Sequence, residues 1–162
     1  MSVAFRRESD EEHLEPRFEL PLPPGPNLVT PRGLVLIEAR NAALEAALAA
    51  TSEEEPRKVI LRDLRYWRSR LVSAQLAPPA TGEIVAIGTS VTIEQNGDQA
   101  GRTRTLAIVG QDEADPAADR LAFTAPLARA LLGSEVGEEV EVGETTVTVL
   151  AINPTADEAS AG

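Results

Sequence analysis

The stretch Leu106–Val142 (LAIVGQDEADPAADRLAFTAPLARALLGSEVGEEVEV) leaves the chain less freedom in how it folds than any other part. Leu106-Ala107-Ile108-Val109 is a short apolar run of β character closed by Gly110. The turn after it, Asp112-Glu113-Ala114-Asp115-Pro116, is too polar and too Pro-interrupted to continue a strand. A second short strand, Leu121–Thr124, leads to Pro126, which suits the first position of a helix because no intrahelical partner awaits its missing N–H. The helix Leu127–Leu132 should stop at Gly133, the residue best able to adopt a left-handed C-cap, and Val136–Val140 turns into a further strand. The order is strand, acidic turn, strand, one helix, Gly-closed turn, strand.

The flanking residues extend this into a domain. After Pro78-Pro79, Gly82–Gly88 and Ser90–Ile93 alternate as strands, and Asn96-Gly97-Asp98 is a hairpin turn signal. Thr103–Val109 is the returning strand, and Thr145–Ile152 supplies a last Val/Thr-rich one. One helix against an antiparallel sheet makes residues 81–153 an α+β domain, followed by a small polar tail, 154–162.

Residues 28–78 carry a different period. Thr30-Pro31 is a helix start, with Thr as N-cap. Leu34, Ile37, Asn41, Leu44 and Leu48 then recur at spacings of three and four. Thr51 or Ser52 can cap a second helix, with Glu53, Glu54 and Glu55 favourable in its first turn. Ile60, Leu64, Trp67, Leu71 and Ala74 form the matching seam, and Pro78-Pro79 ends it. Two helices of like length with a short connection predict an antiparallel helical hairpin, a short coiled coil. Trp67 is expected in the seam and Tyr66 at the surface.

Residues 1–27 mix charges with five prolines and show no apolar period, so they read as a disordered, solvated arm; docking of Phe18, Leu20 and Leu22 as an extended segment is the alternative. The formal charge of −11 is unevenly spread. Met1–Val29 holds six acids and three bases, Thr30–Ala80 six acids and eight bases, and Thr81–Gly162 fourteen acids and four bases. Only the middle segment suits nucleic acid, and the C-terminal domain suits a protein partner. With no Cys, disulfides and thiolate metal sites are excluded, and a single His, His13, in a polar stretch leaves almost no room for Ser-His-Asp or multi-His metal chemistry. No apolar run approaches the ~20 residues of a membrane span, and the N-terminus lacks a basic-then-apolar signal, so a cytoplasmic protein is expected.

The same residues carry a resemblance. Ile108-Val109-Gly110, Asp112–Asp115, Pro126–Gly133 and Val136–Val140, in that order, resemble the C-terminal domain of bacterial Gre-type (GreA/GreB) transcription elongation factors. Leu28–Leu34 is similar to the opening phrase of that family's coiled coil, and Asp63–Leu71 resembles the end of its second helix. Ala125-Pro126 stands where the family has Ser-Pro, and Gly137-Glu138 where it has Gly-Asp. The hairpin is shorter than the family's, and the family's acidic tip phrase is absent.

The resemblance implies an FK506-binding-protein-like sheet domain and a monomeric factor that binds RNA polymerase at its secondary channel. Such a factor holds no active site or cofactor of its own, and any transcript cleavage uses the polymerase Mg²⁺. The candidate metal-sharing residues are the tip acids Glu53, Glu54 and Glu55, since carboxylates are the hard oxygen ligands that a two-metal displacement needs. The candidate polymerase-binding residues are Thr124, Pro126 and Arg129. Arg57, Lys58, Arg62 and Arg65 are candidates to face the channel wall or the nascent RNA; a solvated face paired to Glu38 and Glu45 is the alternative. Asp112, Glu113 and Asp115 read as a solvated turn. With its short hairpin the chain is expected to stimulate cleavage weakly or not at all. The alternatives are a non-cleaving relative resembling the regulator of nucleoside diphosphate kinase, and a self-associating coiled-coil adaptor.

Overall fold

The structure, a computed structural model, describes residues 19–97 and 101–156. The arm up to Phe18, with His13, lies outside these residues, as do Asp98 and the tail from Asp157 onward. The chain divides into two compact units. One contains Ile37–Ser73; the other is built from Pro26–Leu36 together with Ala74–Gly162. No described helix is long and apolar enough to cross a membrane.

The first unit is helical. Helix α1 spans Pro31–Ala50 and helix α2 spans Glu54–Ser73. Ile37 and Leu64 are fully buried, whereas Leu44, Leu48, Ile60 and Leu71 are half-buried. Asn41 is the polar member of the seam. Its amide donates to the carbonyls of Ile37 and Trp67, both at 3.0 Å, so it ties one helix to the backbone of the other. Trp67 is half-buried, with the Arg40 guanidinium 5.6 Å from its ring centroid and Tyr66 edge-on at 5.2 Å. The connection differs from the expected cap. The Thr51 hydroxyl donates to the Ala47 carbonyl at 2.7 Å and so finishes α1 rather than starting α2.

The end of α2 also departs from the seam's prediction. The helix stops at Ser73, and Ala74–Leu76 forms strand β2, parallel to strand β1, Asn27–Val29. Periodicity could not show this, because three residues of helix and three of strand look alike where apolar residues are sparse. Arg70, not Leu71, is the buried residue of the last turn.

The second unit is α+β, as expected, around one five-stranded sheet of order β5-β4-β3-β7-β6. Its strands are β3 (Thr89–Gln95), β4 (Arg102–Val109), β5 (Arg120–Ala122), β6 (Glu139–Val142) and β7 (Thr145–Pro154). The sheet is antiparallel except at one edge, where β5 runs parallel to β4. The acidic turn between those two strands contains a 3₁₀ turn, Pro116–Ala118, and this extra length lets the chain come back in the same direction. β3 and β4 form an antiparallel hairpin whose connection begins at Asn96-Gly97, as the turn signal there predicts. The segment Gly82–Gly88 is not a strand. Val85 exchanges hydrogen bonds with Gly133 and Ser134 at 2.8 and 2.9 Å, which is enough to bury Val85 and Ile87 and leave Ile84 outside.

Helix α3, Pro126–Leu131, covers the inner face of the sheet, where Ala128 and Leu131 join Val91, Ile93, Leu106, Ile108, Val147, Val149 and Ile152 in the core. Pro126 takes the first helical position and Gly133, at φ +87°, the left-handed turn after it. β7 shows how register serves burial. Thr92 pairs with Ala151 and Ile93 with Val149, so Leu150 is an extra residue on β7. The bulge shifts the phase by one, which puts Val147 and Val149 before it and Ile152 after it on the same inner face.

The first turn of α1 joins this sheet through Glu113, which is buried rather than solvated. The Thr30 hydroxyl donates to Glu113 Oε1 at 2.6 Å, and Arg32 donates to Oε2 at 2.9 Å. Thr30 Oγ1 also accepts the Gly33 N–H at 3.0 Å, so one hydroxyl caps the helix and holds the carboxylate. Two glycines make the approach possible. A Cβ at Gly33 would lie 2.9 Å from Glu113 Oε1, and one at Gly110 would lie 2.7 Å from the Leu28 carbonyl oxygen.

Truncating Leu64 to Ala should destabilise the hairpin by about 2–5 kcal/mol, and half-buried Leu71→Ala by distinctly less; urea unfolding of the two variants checks the ranking. Glu113→Ala should destabilise the sheet unit by about 1–3 kcal/mol, because it strands the Thr30 donor while Arg32, partly exposed, can return to water. In a double-mutant cycle with Arg32→Ala, a coupling near zero would show that the ion pair adds nothing.

Candidate functional site

The residues expected to contact a partner lie in different settings. Thr124, Pro126 and Arg129 are all exposed, at the start and on the outer side of α3. Their backbones are held firmly: the Ala125 N–H donates to the Ala122 carbonyl and the Arg129 N–H to the Ala125 carbonyl, both at 2.9 Å. Phe123, just before them, packs against the core. The result is a rigid corner that presents a hydroxyl, a pyrrolidine ring and a guanidinium to solvent. A short helix with an apolar inner face and a Pro start places those three side chains outward by its own geometry.

The tip acids do not gather into a ligand set. Glu54 and Glu55 lie 3.5 and 3.3 Å from Lys58 Nζ, one turn along α2. The hydrogen bond and charge of Glu55, then those of Glu54, hold the Lys58 amine above its ordinary pKa. Its contribution to stability is therefore complete below the ordinary lysine range and lost only as pH rises through the raised value. Lys58 is fully exposed, so salt screens the pair. Glu53 is exposed and engages neither Lys58 nor Arg57 through its side chain; its carbonyl accepts the Arg57 N–H at 3.2 Å, opening α2. Among the described residues no three Asp, Glu or His side chains are grouped so as to hold a metal ion.

The basic face of α2 is largely balanced by neighbouring acids. Arg62 pairs with Asp63 at 2.9 Å, Arg65 with Glu19 at 2.6 Å and Arg68 with Glu45 at 3.3 Å. The expected partner Glu45 is thus found on Arg68. Arg57 differs from the rest. Its guanidinium donates to the carbonyls of Leu48 and Thr51, at 2.8 and 2.7 Å, and closes the end of α1. Arg57 was a channel-facing candidate with Lys58, Arg62 and Arg65, yet its place in the first turn of α2 brings it to the open carbonyls of the preceding helix. Glu113 was missed as an organising residue, because nothing in an acidic turn distinguishes the one carboxylate that folds inward.

Residues 80–154 match the family model described as the C-terminal domain of the transcription elongation factors GreA/GreB. The transcription elongation factor GreA of Desulfovibrio desulfuricans is 32% identical over 119 residues, covering 70% of this chain and 68% of that protein. GreA of Agrobacterium fabrum is 36% identical over 105 residues, covering 64% of this chain and 62% of its own. The chain therefore spans between 62% and 68% of the length of these two relatives. Among solved structures, GreA factor homolog 1 (Gfh1) of Thermus thermophilus aligns over 80% of this chain and 99% of its own, at 16% identity and a TM-score of 0.39. The GreA/GreB factor from Nitrosomonas europaea aligns over the same shares, at 18% identity and a TM-score of 0.39. On the strength of its sequence relatives, the chain belongs to the GreA/GreB family of transcription elongation factors.

Proposed function

We propose that this chain binds RNA polymerase at the secondary channel, docks through the corner formed by Thr124, Pro126 and Arg129, and modulates elongation without efficient transcript cleavage. The observation that carries the reading is the state of the hairpin tip. Glu54 and Glu55 are both turned onto Lys58, which leaves Glu53 as the acid of the three without that partner. Sharing a second Mg²⁺ with the polymerase needs carboxylates held at the metal, and a displacement of even ~1 Å costs about a hundredfold in rate. Each helix has 20 residues and so runs about 30 Å, shorter than the resemblance implies for cleaving members. The factor itself supplies no active site. Occupying the channel would still compete with cleaving factors and alter access to the polymerase centre.

The acidity of the C-terminal domain favours a basic protein surface as its dock. The basic face of α2 remains the candidate for the channel wall or the transcript, with Arg62, Arg65 and Lys58 each exchanging an internal acid for an external one on binding. Arg57 is left out of that role because it closes the hairpin.

The triple variant Thr124→Ala, Pro126→Ala, Arg129→Ala should weaken polymerase binding by about tenfold or more in a direct binding assay, while keeping the wild-type melting profile. Changing Glu53, Glu54 and Glu55 together to Ala should leave that affinity unchanged. A reversed pattern would place the anchor in the hairpin, and self-association without polymerase binding would favour the coiled-coil adaptor.

With a defined backtracked complex and Mg²⁺, wild type should shorten the transcript no faster than polymerase alone, and the tip variant should behave the same. Rapid shortening by wild type, abolished in the tip variant, would make the tip acids catalytic.

A further inference from the structure

The sheet has a second face, and one row across it has no assigned role. Ser90 on β3 is the register partner of Asn153 on β7 and of Ala107 on β4, and Ala107 is the partner of Arg120 on β5. Directly paired residues share a face, so these four side chains stand on the side away from α3, opposite to Val91 and Ile108. The row lines a cleft of about 400 Å³ that Thr30 and Glu113 also border.

The chemistry of the row is one-sided. Both oxygens of Glu113 are already engaged, by Thr30 and Arg32, so this carboxylate does not neutralise Arg120. Ser90, Asn153 and Arg120 make no side-chain hydrogen bond or ion pair among the described residues. Half-buried Arg120 offers a planar fork of N–H donors, Ser90 a hydroxyl and Asn153 an amide, and Ala107 between them leaves the floor open. Of the four arginines that follow Thr81, Arg120 is the one lining this cleft. A single cation with neutral donors beside it fits a singly charged planar group. A polyphosphate or nucleic acid backbone is disfavoured by the fourteen acids of the same segment.

We propose that this cleft seats the carboxylate of an Asp or Glu side chain presented by a protein partner, with Arg120 forming the paired hydrogen bonds and Ser90 and Asn153 taking the adjoining backbone. In a domain that otherwise repels acids, such a contact sets the register of docking more than its strength. The site is separate from the corner at Thr124–Arg129, and it does not depend on which protein the partner is.

The test is an amide-resolved NMR titration of the ¹⁵N-labelled full chain with the peptide acetyl-Gly-Glu-Gly-amide, its Gln counterpart, and acetate. The Glu peptide should shift the amides of Ser90, Ala107, Arg120 and Asn153 saturably, with the Gln peptide roughly tenfold weaker. Arg120→Ala should erase that difference, and Arg120→Gln, which keeps the stem, serves if the Ala variant does not fold. Equal response to both peptides, persistence in the Arg120 variant, shifts confined elsewhere, or no shift would each overturn the proposal. Acetate binding as tightly as the Glu peptide would overturn the protein-borne source and leave a free-carboxylate site.

Discussion

Glu113 is the side chain on which the construction of the sheet unit turns. A buried carboxylate is costly unless each oxygen has a partner, and here one is bound by a hydroxyl and the other by a guanidinium from the same helical turn. The contact joins residues 81 and 83 positions apart, so the start of α1 is tied to the turn between β4 and β5. It also gives a physical reason for two phrases of the sequence to occur together. Thr30-Pro31-Arg32-Gly33 caps a helix, supplies the donors and clears the space, and Gly110 to Glu113 brings the acid while allowing β1 to pass close by.

With that joint in place, the rest of the unit follows from two-sided strands and one helix. β3 and β7 bury every second residue, and where the alternation of β7 falls out of step, the extra Leu150 restores it. The outer face carries mostly Ser, Thr, Ala and Asn, with Glu94, Glu139 and Glu141 among them, and Thr92 and Thr105 are joined across the strands at 3.0 Å. Such a face has hydrogen-bonding capacity in excess of what the fold uses, and Arg120 lends it a charge at one edge. Glu139 and Glu141 of the exposed edge strand β6 stand at the far edge of the same face, with further acids in the flanking turns. There they discourage pairing between copies of the chain.

Electrostatics divides the hairpin in another way. Its surplus of bases is real in the sequence, yet Lys58, Arg62, Arg65 and Arg68 each have an acid within 3.5 Å. Pairs as exposed as these are screened by salt and readily exchanged, so they hold the helix surface only weakly. At the tip, Lys58 lies within 3.5 Å of both Glu54 and Glu55, so those two carboxylates are partly balanced within the chain.

Much of this was legible in the residues themselves. The hairpin followed from spacings of three and four, the helix Pro126–Leu131 from Pro at one end and Gly at the other, and the α+β class from the alternation around them. Local rules sufficed because each of those signals acts within a few residues. Long-range contacts decided the rest. Whether residues 82–88 pair as a strand, whether Ala74 continues a helix or enters β2, and whether β5 runs parallel to β4 all depend on partners distant in sequence. So does the fate of single charges. Glu113 and Asp115 look equivalent in the chain, and only the fold brings Thr30 and Arg32 to one of them; Arg57 and Arg65 are both bases of the same helix, and only the turn before α2 gives Arg57 carbonyls to close. Sequence determines which residues prefer water or each other at short range, and tertiary structure decides which of several similar groups finds the partner that lets it be buried.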